Sequence, residues 1–354
     1  MGPISNNRIS KIEKLITPKQ LKIALPNTTE KKIKHHRNQI EDILAKKNGR
    51  FIVVVGPCSI HDTNSALDYA ERLKKLAIEL EDQLFIIMRT YFEKPRTTIG
   101  WKGFINDPLL DNSCQINLGL EKARRILISI SQLGLPVATE FLDTLTPQYI
   151  SDLISWGAIG ARTAESQIHR NLASGLSMPI GIKNATTGSV KIAIDAMIAA
   201  NHPHTFLGID DNGNASVLHT TGNPNTHIIL RGGEITGPNF TQEHVSAANQ
   251  QLIEQCLTSS IMIDCSHGNS EKNHAKQCDV LDYISKTLIN SSTPVIGVML
   301  ESFIHAGKQN LAPKKPLEYG TSITDACIDW ETTKKCLRNL AQTVRDKMEA
   351  VHGG

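Results

Sequence analysis

A polar side chain follows almost every short apolar segment between residues 51 and 302. A thiol, an imidazole and a carboxylate stand at three of these positions, in Cys58, His267 and Glu301. These donor types suit a divalent transition metal and fit poorly with calcium or magnesium. Asp325, in the segment TSITDACIDW, can supply a fourth ligand. Because the spacing carries no signature of its own, the metal hypothesis requires a fold that gathers these segments. The alternative for Cys58 is a small buried hydrophobe.

Four cations form a second set at the same kind of position: Arg89, Arg162, Lys183 and Arg231. Guanidinium groups match phosphate and carboxylate bidentately. Four cations around one opening would repel each other, so they indicate a ligand with several negative charges, such as a phosphate plus a carboxylate. The alternative is a set of scattered salt bridges.

A loop rich in cations, hydroxyls, glycine and proline occupies residues 91–103. It can present Lys94, Arg96 and Thr97 to a second phosphate, and Pro95 would stiffen it. The alternative is an exposed basic loop.

The elements that must position these side chains are short apolar runs alternating with amphipathic, helix-like stretches. The runs are 51–56, 84–89, 136–141, 157–162, 179–183, 227–233, 261–267 and 295–302. Continuous apolar strands between helices predict a parallel sheet covered on both faces. Such units predict an α/β fold, a (β/α)8 TIM barrel at residues 51–350, whose strand ends, including Glu140, meet at one mouth.

Two additions to the barrel are predicted. Residues 1–50 read as an N-terminal helical arm, with helix-like stretches at 9–25 and 30–47. The arm is either a solvated helix pair or a source of oligomer contacts. Its cluster Lys31–Arg37 is more typical of a solvent-exposed helix face than of a binding patch. Residues 205–219 read as an inserted β-hairpin that turns at Asp211-Asn212-Gly213.

Composition narrows the class of protein. A net charge of +3 and 5% aromatic residues argue against nucleic-acid binding. No apolar run is long enough for a membrane helix, and the first residues have no signal-peptide core, so we expect a soluble cytoplasmic protein with no membrane partner. The seven cysteines include no CxxC pair, so we expect any cysteine with a role to act singly.

The chain closely resembles one family from about residue 5 to 345: the type I, feedback-regulated 3-deoxy-D-arabino-heptulosonate 7-phosphate (DAHP) synthases of bacteria and fungi. The segments that carry the resemblance are GPCSIHD (56–62), RTYFEKPRTTIGWKG (89–103), GAIGARTAESQ (157–167), HIILRGG (227–233), DCSHGNS (264–270) and GTSITDACIDWE (320–331).

The resemblance implies condensation of phosphoenolpyruvate with D-erythrose 4-phosphate, which releases phosphate and begins the shikimate pathway. The implied metal ligands, for one Mn²⁺, Fe²⁺, Co²⁺ or Zn²⁺ ion, are Cys58, His267, Glu301 and Asp325. The implied phosphoenolpyruvate residues are Arg89, Lys102, Ala161, Arg162, Lys183 and Arg231, with Glu140 beside them. The implied erythrose 4-phosphate residues are Lys94, Pro95, Arg96 and Thr97.

The implied roles divide the reaction among the metal, Lys94 and the residues near phosphoenolpyruvate. The metal would polarise the aldehyde as a Lewis acid. Lys94 or a metal-bound water would protonate the new alkoxide. The proton of the attacking water would go to Glu140, Lys183 or a metal-bound water. One departure is Ala185, where the family has glycine, which would restrict the backbone if the position needs positive φ.

The resemblance also implies feedback inhibition by an aromatic amino acid and a homodimer or homotetramer. The implied effector residues are Pro147, Gln148, Leu176, Ser177, Phe206 and Gly208. Glycine at 208 leaves room for a hydroxyl, where serine would crowd the para end of a phenyl ring. Tyrosine is therefore the favoured inhibitor, with tryptophan and phenylalanine as alternatives.

Three competing interpretations remain. A 3-deoxy-octulosonate 8-phosphate synthase typically has Lys-Ala-Asn-Arg-Ser in the loop, whereas this chain has Lys94-Pro95-Arg96-Thr97. A catalytically inactive barrel subunit would have lost a ligand or a phosphate-binding arginine, and none is missing. A metal-dependent aldolase that does not use phosphoenolpyruvate would not need the four cations.

Overall fold

The computed structural model describes residues 4–290, 293–311 and 316–352. Its helices are α1 (Pro18–Ala24), α2 (Glu30–Leu44), α3 (Thr63–Glu79), α4 (Ile116–Gln132), α5 (Thr146–Ile150), α6 (Gln167–Gly175), α7 (Val190–Ala200), α8 (Gln242–Glu254), α9 (Lys276–Asn290) and α10 (Trp330–His352). Its strands are β1 (Phe51–Gly56), β2 (Leu84–Arg89), β3 (Val137–Glu140), β4 (Trp156–Ile159), β5 (Ile180–Lys183), β6 (Thr205–Ile209), β7 (Ala215–His219), β8 (Thr226–Leu230), β9 (Ile261–Asp264) and β10 (Val295–Glu301).

In the described part of the chain, eight parallel strands close into a barrel in the order β1-β10-β9-β8-β5-β4-β3-β2. The predicted TIM barrel is thus confirmed. The strands are buried along their whole length, which explains their continuous apolar sequences. Several strands end before the predicted residue, for example β8 at Leu230 and β9 at Asp264. β4 stops at Ile159, and Arg162 lies in the following turn, where the Thr163 amide donates to the Gly160 carbonyl at 3.1 Å.

The N-terminal end of the barrel is packed by α2. Ile40, Ile43 and Leu44 belong to the same buried cluster as the inward-facing residues of the strands, such as Ile52 and Phe85. A solvated helix pair therefore does not describe α2, although several charged residues of the cluster Lys31–Arg37 are exposed, as expected for a solvent-exposed face.

The arm differs from its prediction before residue 18. Residues 9–17 are not helical, and α1 begins at Pro18. Proline suits the first helical position but breaks a helix that tries to continue through it. Thr17 and Gln20 form a capping box at this start. Arg37 is not simply a solvent-exposed residue, because its guanidinium donates to the carbonyls of Ser151 and Ile154 at 2.7 and 2.8 Å.

The predicted hairpin is present, with β6 and β7 paired antiparallel. Its turn touches the arm: the Lys19 amide donates to the Asp211 carbonyl at 2.8 Å, and Lys22 pairs with the Asp211 carboxylate at 2.7 Å. In the ranges described above, no helix combines the length and apolarity of a membrane span.

Candidate active site

A cavity of about 330 Å³ opens at the C-terminal mouth of the barrel. Residues singled out from the sequence form much of its wall: Lys94, Pro95, Arg96, Glu140, Ala161, Arg162, Lys183, Arg231, His267, Glu301 and Asp325. They converge because the carboxyl ends of parallel barrel strands share one rim. Other residues of the wall were not predicted, namely Thr186, Glu234, Ser266, Ser270, Lys272, His274, Gln277, Lys308 and Ala326. Most of them lie in loops beyond the strand ends, where a strand pattern gives no signal.

Donor atoms of Cys58, Glu301 and Asp325 lie within 4.8 Å of one another. Among the described residues, these three form the candidate group for a metal ion. Cys58 and Glu301 are buried, and the Cys58 thiol donates to Asp325 Oδ2 at 3.5 Å. A sulfur and carboxylate oxygens at this spacing fit a transition metal better than magnesium or calcium.

His267 lies next to this group but outside it. Its Nε2 is 3.8 Å from Glu301 Oε1, while its Nδ1 is 2.9 Å from Asp264 Oδ2. Metal-binding histidines commonly give their second nitrogen to a carboxylate in this way. His267 also has a left-handed backbone, with φ of 57°. Such conformations in non-glycine residues are held in place by surrounding structure and cluster at functional sites.

The Cys58 thiol is coupled to an ammonium group. Lys94 Nζ donates to Cys58 Sγ at 3.1 Å and to the Cys58 carbonyl at 3.3 Å. Burial, followed by the nearby Glu301 charge, raises the pKa of Cys58 to about 11, with Lys94 opposing. Burial alone would lower the pKa of Lys94, but the charges of Cys58, Glu301 and Asp325 outweigh it and raise that pKa. Lys94 therefore stays protonated beside the metal donors.

The cations do not all face the cavity unpaired. Arg89 is fully buried, pairs with Glu301 at 3.2 Å and lies over the Tyr91 ring at 3.9 Å. Lys183 pairs with Asp264 at 2.9 Å. No carboxylate of the described chain lies within 4.0 Å of Arg162 or Arg231. The expectation of four mutually repelling cations is therefore too simple, because protein carboxylates balance two of them.

Three residues implied for substrate binding do not line the cavity, as far as the described residues show: Arg89, Thr97 and Lys102. Lys102 is exposed, and its carbonyl accepts the Lys94 amide at 2.9 Å. Arg96 is partly held by its own loop, since its Nε donates to the Trp101 carbonyl at 2.9 Å. Ala185 is not among the described residues with positive φ, so alanine causes no backbone strain there.

The residues implied for the effector lie away from this mouth. Pro147 and Gln148 are on α5, and Phe206 and Gly208 are on β6. Leu176 and Ser177 line another cavity, of about 360 Å³, between the end of α6 and the foot of the hairpin. A Cβ added at Gly208 would lie 2.5 Å from Leu218 Cδ1, so the space beside this glycine is occupied by a flexible side chain.

Comparisons with known proteins decide the family. The model of the DAHP synthetase I family matches residues 22–338. The chain belongs to this family. It is 47% identical over 350 residues to the Tyr-sensitive phospho-2-dehydro-3-deoxyheptonate aldolase of Escherichia coli K12, covering 98% of both chains. It is 51% identical over 340 residues to the Phe-sensitive enzyme of the same strain, covering 96% of this chain and 97% of the relative.

A solved structure agrees with the sequence comparisons. The phospho-2-dehydro-3-deoxyheptonate aldolase of Francisella tularensis SCHU S4 superposes with a TM-score of 0.93 at 50% identity, covering 96% of this chain and 99% of that one. Relatives at this similarity carry the name of the DAHP-forming enzyme, so the octulosonate synthase alternative loses support. Relatives sensitive to tyrosine and to phenylalanine are almost equally similar, so overall identity does not choose the inhibitor.

Proposed function

We infer that this protein condenses phosphoenolpyruvate with D-erythrose 4-phosphate and water to give DAHP and phosphate, the first step of the shikimate pathway. One observation supports this most directly: Cys58, Glu301 and Asp325 adjoin a cavity whose wall also carries Lys94, Arg162 and Arg231. That arrangement combines metal-donor atoms with cationic side chains that can bind anions. The chain is also about half identical, over nearly its full length, to phospho-2-dehydro-3-deoxyheptonate aldolases.

Cys58, Glu301 and Asp325, together with the nearby His267, would hold one divalent ion, Mn²⁺, Fe²⁺, Co²⁺ or Zn²⁺. When bound, the ion supplies Lewis acidity toward the aldehyde oxygen of erythrose 4-phosphate. Asp264 supports this role indirectly, since it holds His267 Nδ1 and leaves Nε2 toward Glu301.

Phosphoenolpyruvate would take the side of the cavity that carries Ala161, Arg162, Lys183 and Arg231. Arg162 and Arg231 have no carboxylate partner in the described residues, so their donors remain for the phosphate and carboxylate. Glu140 reaches the same side, and its Oε1 lies over Gly160. Arg89 would act from beneath the cavity by fixing Glu301.

Erythrose 4-phosphate would take the side formed by Lys94, Pro95 and Arg96, with Thr97 at its edge. Lys94 Nζ lies 3.1 Å from Cys58 Sγ and stays protonated, so it can deliver a proton to the alkoxide that forms at the aldehyde carbon. The surrounding cations stabilise the charge of both phosphates during the reaction.

An aromatic amino acid, tyrosine by preference, would inhibit from the wall formed by Pro147, Gln148, Leu176, Ser177, Phe206 and Gly208. The contacts between the arm and the hairpin at Asp211 support this location. We propose residues 1–50 as a regulatory and oligomer-forming arm and 51–350 as the catalytic barrel, in a homodimer or homotetramer.

One assay tests the reaction. The protein is loaded with Mn²⁺, mixed with phosphoenolpyruvate and erythrose 4-phosphate, and followed by the loss of enol absorbance and the release of phosphate. We expect turnover that a chelator abolishes, and much slower turnover with arabinose 5-phosphate. Failure to consume the enol with erythrose 4-phosphate under each of the four metals would overturn the proposal. Parallel assays with tyrosine, phenylalanine and tryptophan identify the inhibitor.

A further inference from the structure

Two cysteines outside the active site lie in direct contact. Cys336, on α10, donates its S–H to Cys278 Sγ on α9 at 3.2 Å, and these two helices pack against each other. Cys336 is buried, whereas Cys278 is only partly buried. The sequence predicted cysteines that act singly, because residues 58 positions apart carry no spacing signature. The helix packing nevertheless brings these two cysteines into contact.

We propose that Cys278 and Cys336 are a redox modification site, which closes to a disulfide in the presence of a low-molecular-weight disulfide such as oxidised glutathione. Sulfur atoms already in contact need little backbone movement to bond, in contrast to pairs whose side chains point apart. Cys278 is partly exposed and can react with the oxidant, whereas Cys336 is buried next to it.

The electrostatics assign different roles to the two thiols. The hydrogen bond from Cys336 lowers the pKa of Cys278, against an opposing contribution from burial, and the same hydrogen bond raises the pKa of Cys336. Thiolates are the nucleophiles in disulfide exchange. Cys278 is therefore the attacking residue and Cys336 the resolving one.

The chemistry balances in two exchanges. The Cys278 thiolate attacks one sulfur of oxidised glutathione, whose S–S bond breaks and releases one glutathione thiolate. Cys336 then loses its proton and attacks the sulfur of Cys278, which displaces the second glutathione thiolate. Two protein thiols lose two electrons, and one oxidised glutathione becomes two molecules of the thiol.

The position of the pair gives the bond a consequence for the active site. The segment between the two cysteines carries Glu301 and Asp325. Gln277, next to Cys278, is fully buried and holds the backbone of Glu301 from both sides, with Nε2 donating to its carbonyl at 3.0 Å and Oε1 accepting its amide at 2.8 Å. A disulfide at Cys278 would thus connect Gln277, and through it the backbone of Glu301, covalently to α10.

The test uses the full-length, Mn²⁺-loaded protein, so that Cys58 is shielded as a ligand. The protein is incubated with oxidised glutathione, alkylated and digested with trypsin without reduction. Peptide 277–286 contains only Cys278, and peptide 336–338 contains only Cys336. We expect these two peptides to be linked, and the melting temperature at a fixed scan rate to rise by roughly 4–8 °C.

Matched variants separate this bond from other oxidation. C278A and C336A should each lose the linked peptide and the rise in melting temperature, whereas C114A, which removes an exposed cysteine, should keep both. Dithiothreitol should reverse the change in the wild type. The proposal is wrong if glutathione is found only as mixed disulfides, or if Cys278 links to Cys265 instead. Neither result would change the conclusion that the protein forms DAHP, which the turnover assay tests separately.

Discussion

Asp264 holds two side chains of the mouth at once. Its carboxylate is fully buried and lies 2.9 Å from both Lys183 Nζ and His267 Nδ1. Although burial would raise the pKa of Asp264, the charge of Lys183 and the hydrogen bonds from His267 and Ser266 hold it well below its usual range. One carboxylate therefore fixes Lys183, which is proposed to bind phosphoenolpyruvate, and the orientation of His267, a proposed metal ligand. No motif in the sequence predicted that Asp264 would contact both Lys183 and His267.

We expect Asp264→Asn to destabilise the fold by about 3–5 kcal/mol, because Lys183 would be left as a buried charge without its partner. The affinity for Mn²⁺ should fall by roughly 10–100-fold, since the asparagine no longer fixes the tautomer of His267. Urea unfolding and metal titration measure the two effects. Asp195→Asn is the matched control, because its ion pair with Lys191 is exposed. Equal effects in the two variants would contradict the role of Asp264.

Gly208 is the residue on which inhibitor choice is proposed to depend. A Cβ at this position would lie 2.5 Å from Leu218 Cδ1, so Gly208→Ser displaces Leu218 and narrows the hairpin face. We expect the wild type to be inhibited by tyrosine and the variant to respond to phenylalanine instead. kcat should change less than about threefold, because no hairpin residue that the structure describes is part of the cavity wall at the mouth. Inhibition curves with each amino acid measure this. A wild type inhibited by phenylalanine alone would refute the assignment.

Glu93 joins the loop after β2 to the segment that enters α5. Its Oε1 accepts the Asp143 amide at 3.3 Å and the Thr146 hydroxyl at 3.4 Å. Burial, followed by the charge of Asp143, raises the pKa of Glu93 to about 8. A proton held by the folded protein therefore lies between the proposed substrate loop and the proposed effector wall.

This raised pKa predicts a pH dependence of stability. Between the unfolded pKa of Glu93, near 4.5, and its folded pKa of about 8, the folded state binds a proton that the unfolded state has released. This contribution is therefore fully present at low pH, decreases as pH rises through this window and is lost above it. Glu93→Gln keeps an acceptor oxygen and never ionises, so its stability advantage over the wild type should grow from pH 5 to 8. Melting temperatures across that range test it, and a constant difference would contradict the assignment.

The arm and the hairpin meet in a way that predicts separable regulation. Asp211, in the hairpin turn, accepts from the Lys19 amide and pairs with Lys22, and the Tyr149 hydroxyl of α5 donates to the Ile16 carbonyl at 2.8 Å. Deletion of residues 1–17 removes the Ile16 contact and keeps those of Lys19 and Lys22, and we expect it to raise the inhibitor concentration needed for half-inhibition at least about tenfold. kcat/KM should stay within about threefold, because these contacts lie outside the mouth. Loss of activity together with loss of inhibition would argue against the separation.

The barrel and its strand ends could be predicted because continuous apolar strands carry their own signal, and the rim follows from the closure of the sheet. Pairings across the rim could not. The ion pair of Arg89 with Glu301 joins residues 212 positions apart, and burial of Lys183 against Asp264 depends on packing alone. Local chemistry could have corrected the arm, since Pro18 forbids the long helix that the periodicity of residues 9–25 suggested.

For the whole molecule, one end of the barrel serves stability and the other serves the site. Ile40, Ile43 and Leu44 of α2 pack among the inward-facing residues at the N-terminal end, whereas the opposite rim gathers Cys58, Glu301 and Asp325. Lys94 and Arg89 already contact Cys58 and Glu301, and a bound metal ion would add direct bonds to the thiolate and carboxylate donors. A metal that binds only the folded protein should therefore raise its stability.

We expect addition of Mn²⁺ to the chelated protein to raise the melting temperature by roughly 5–10 °C at about one hundred times the dissociation constant, and to restore turnover. Asp325→Asn is the sharper ligand variant, because Glu301 also neutralises the buried Arg89. It should fold with nearly the melting temperature of the chelated wild type, lose the metal-induced rise, and lose at least about 100-fold in kcat. Glu121→Gln, at an exposed ion pair with Arg125, should keep the rise. If Asp325→Asn retained both the rise and the activity, Asp325 would not be a ligand, and the site would have to be completed by His267 and the residues around it.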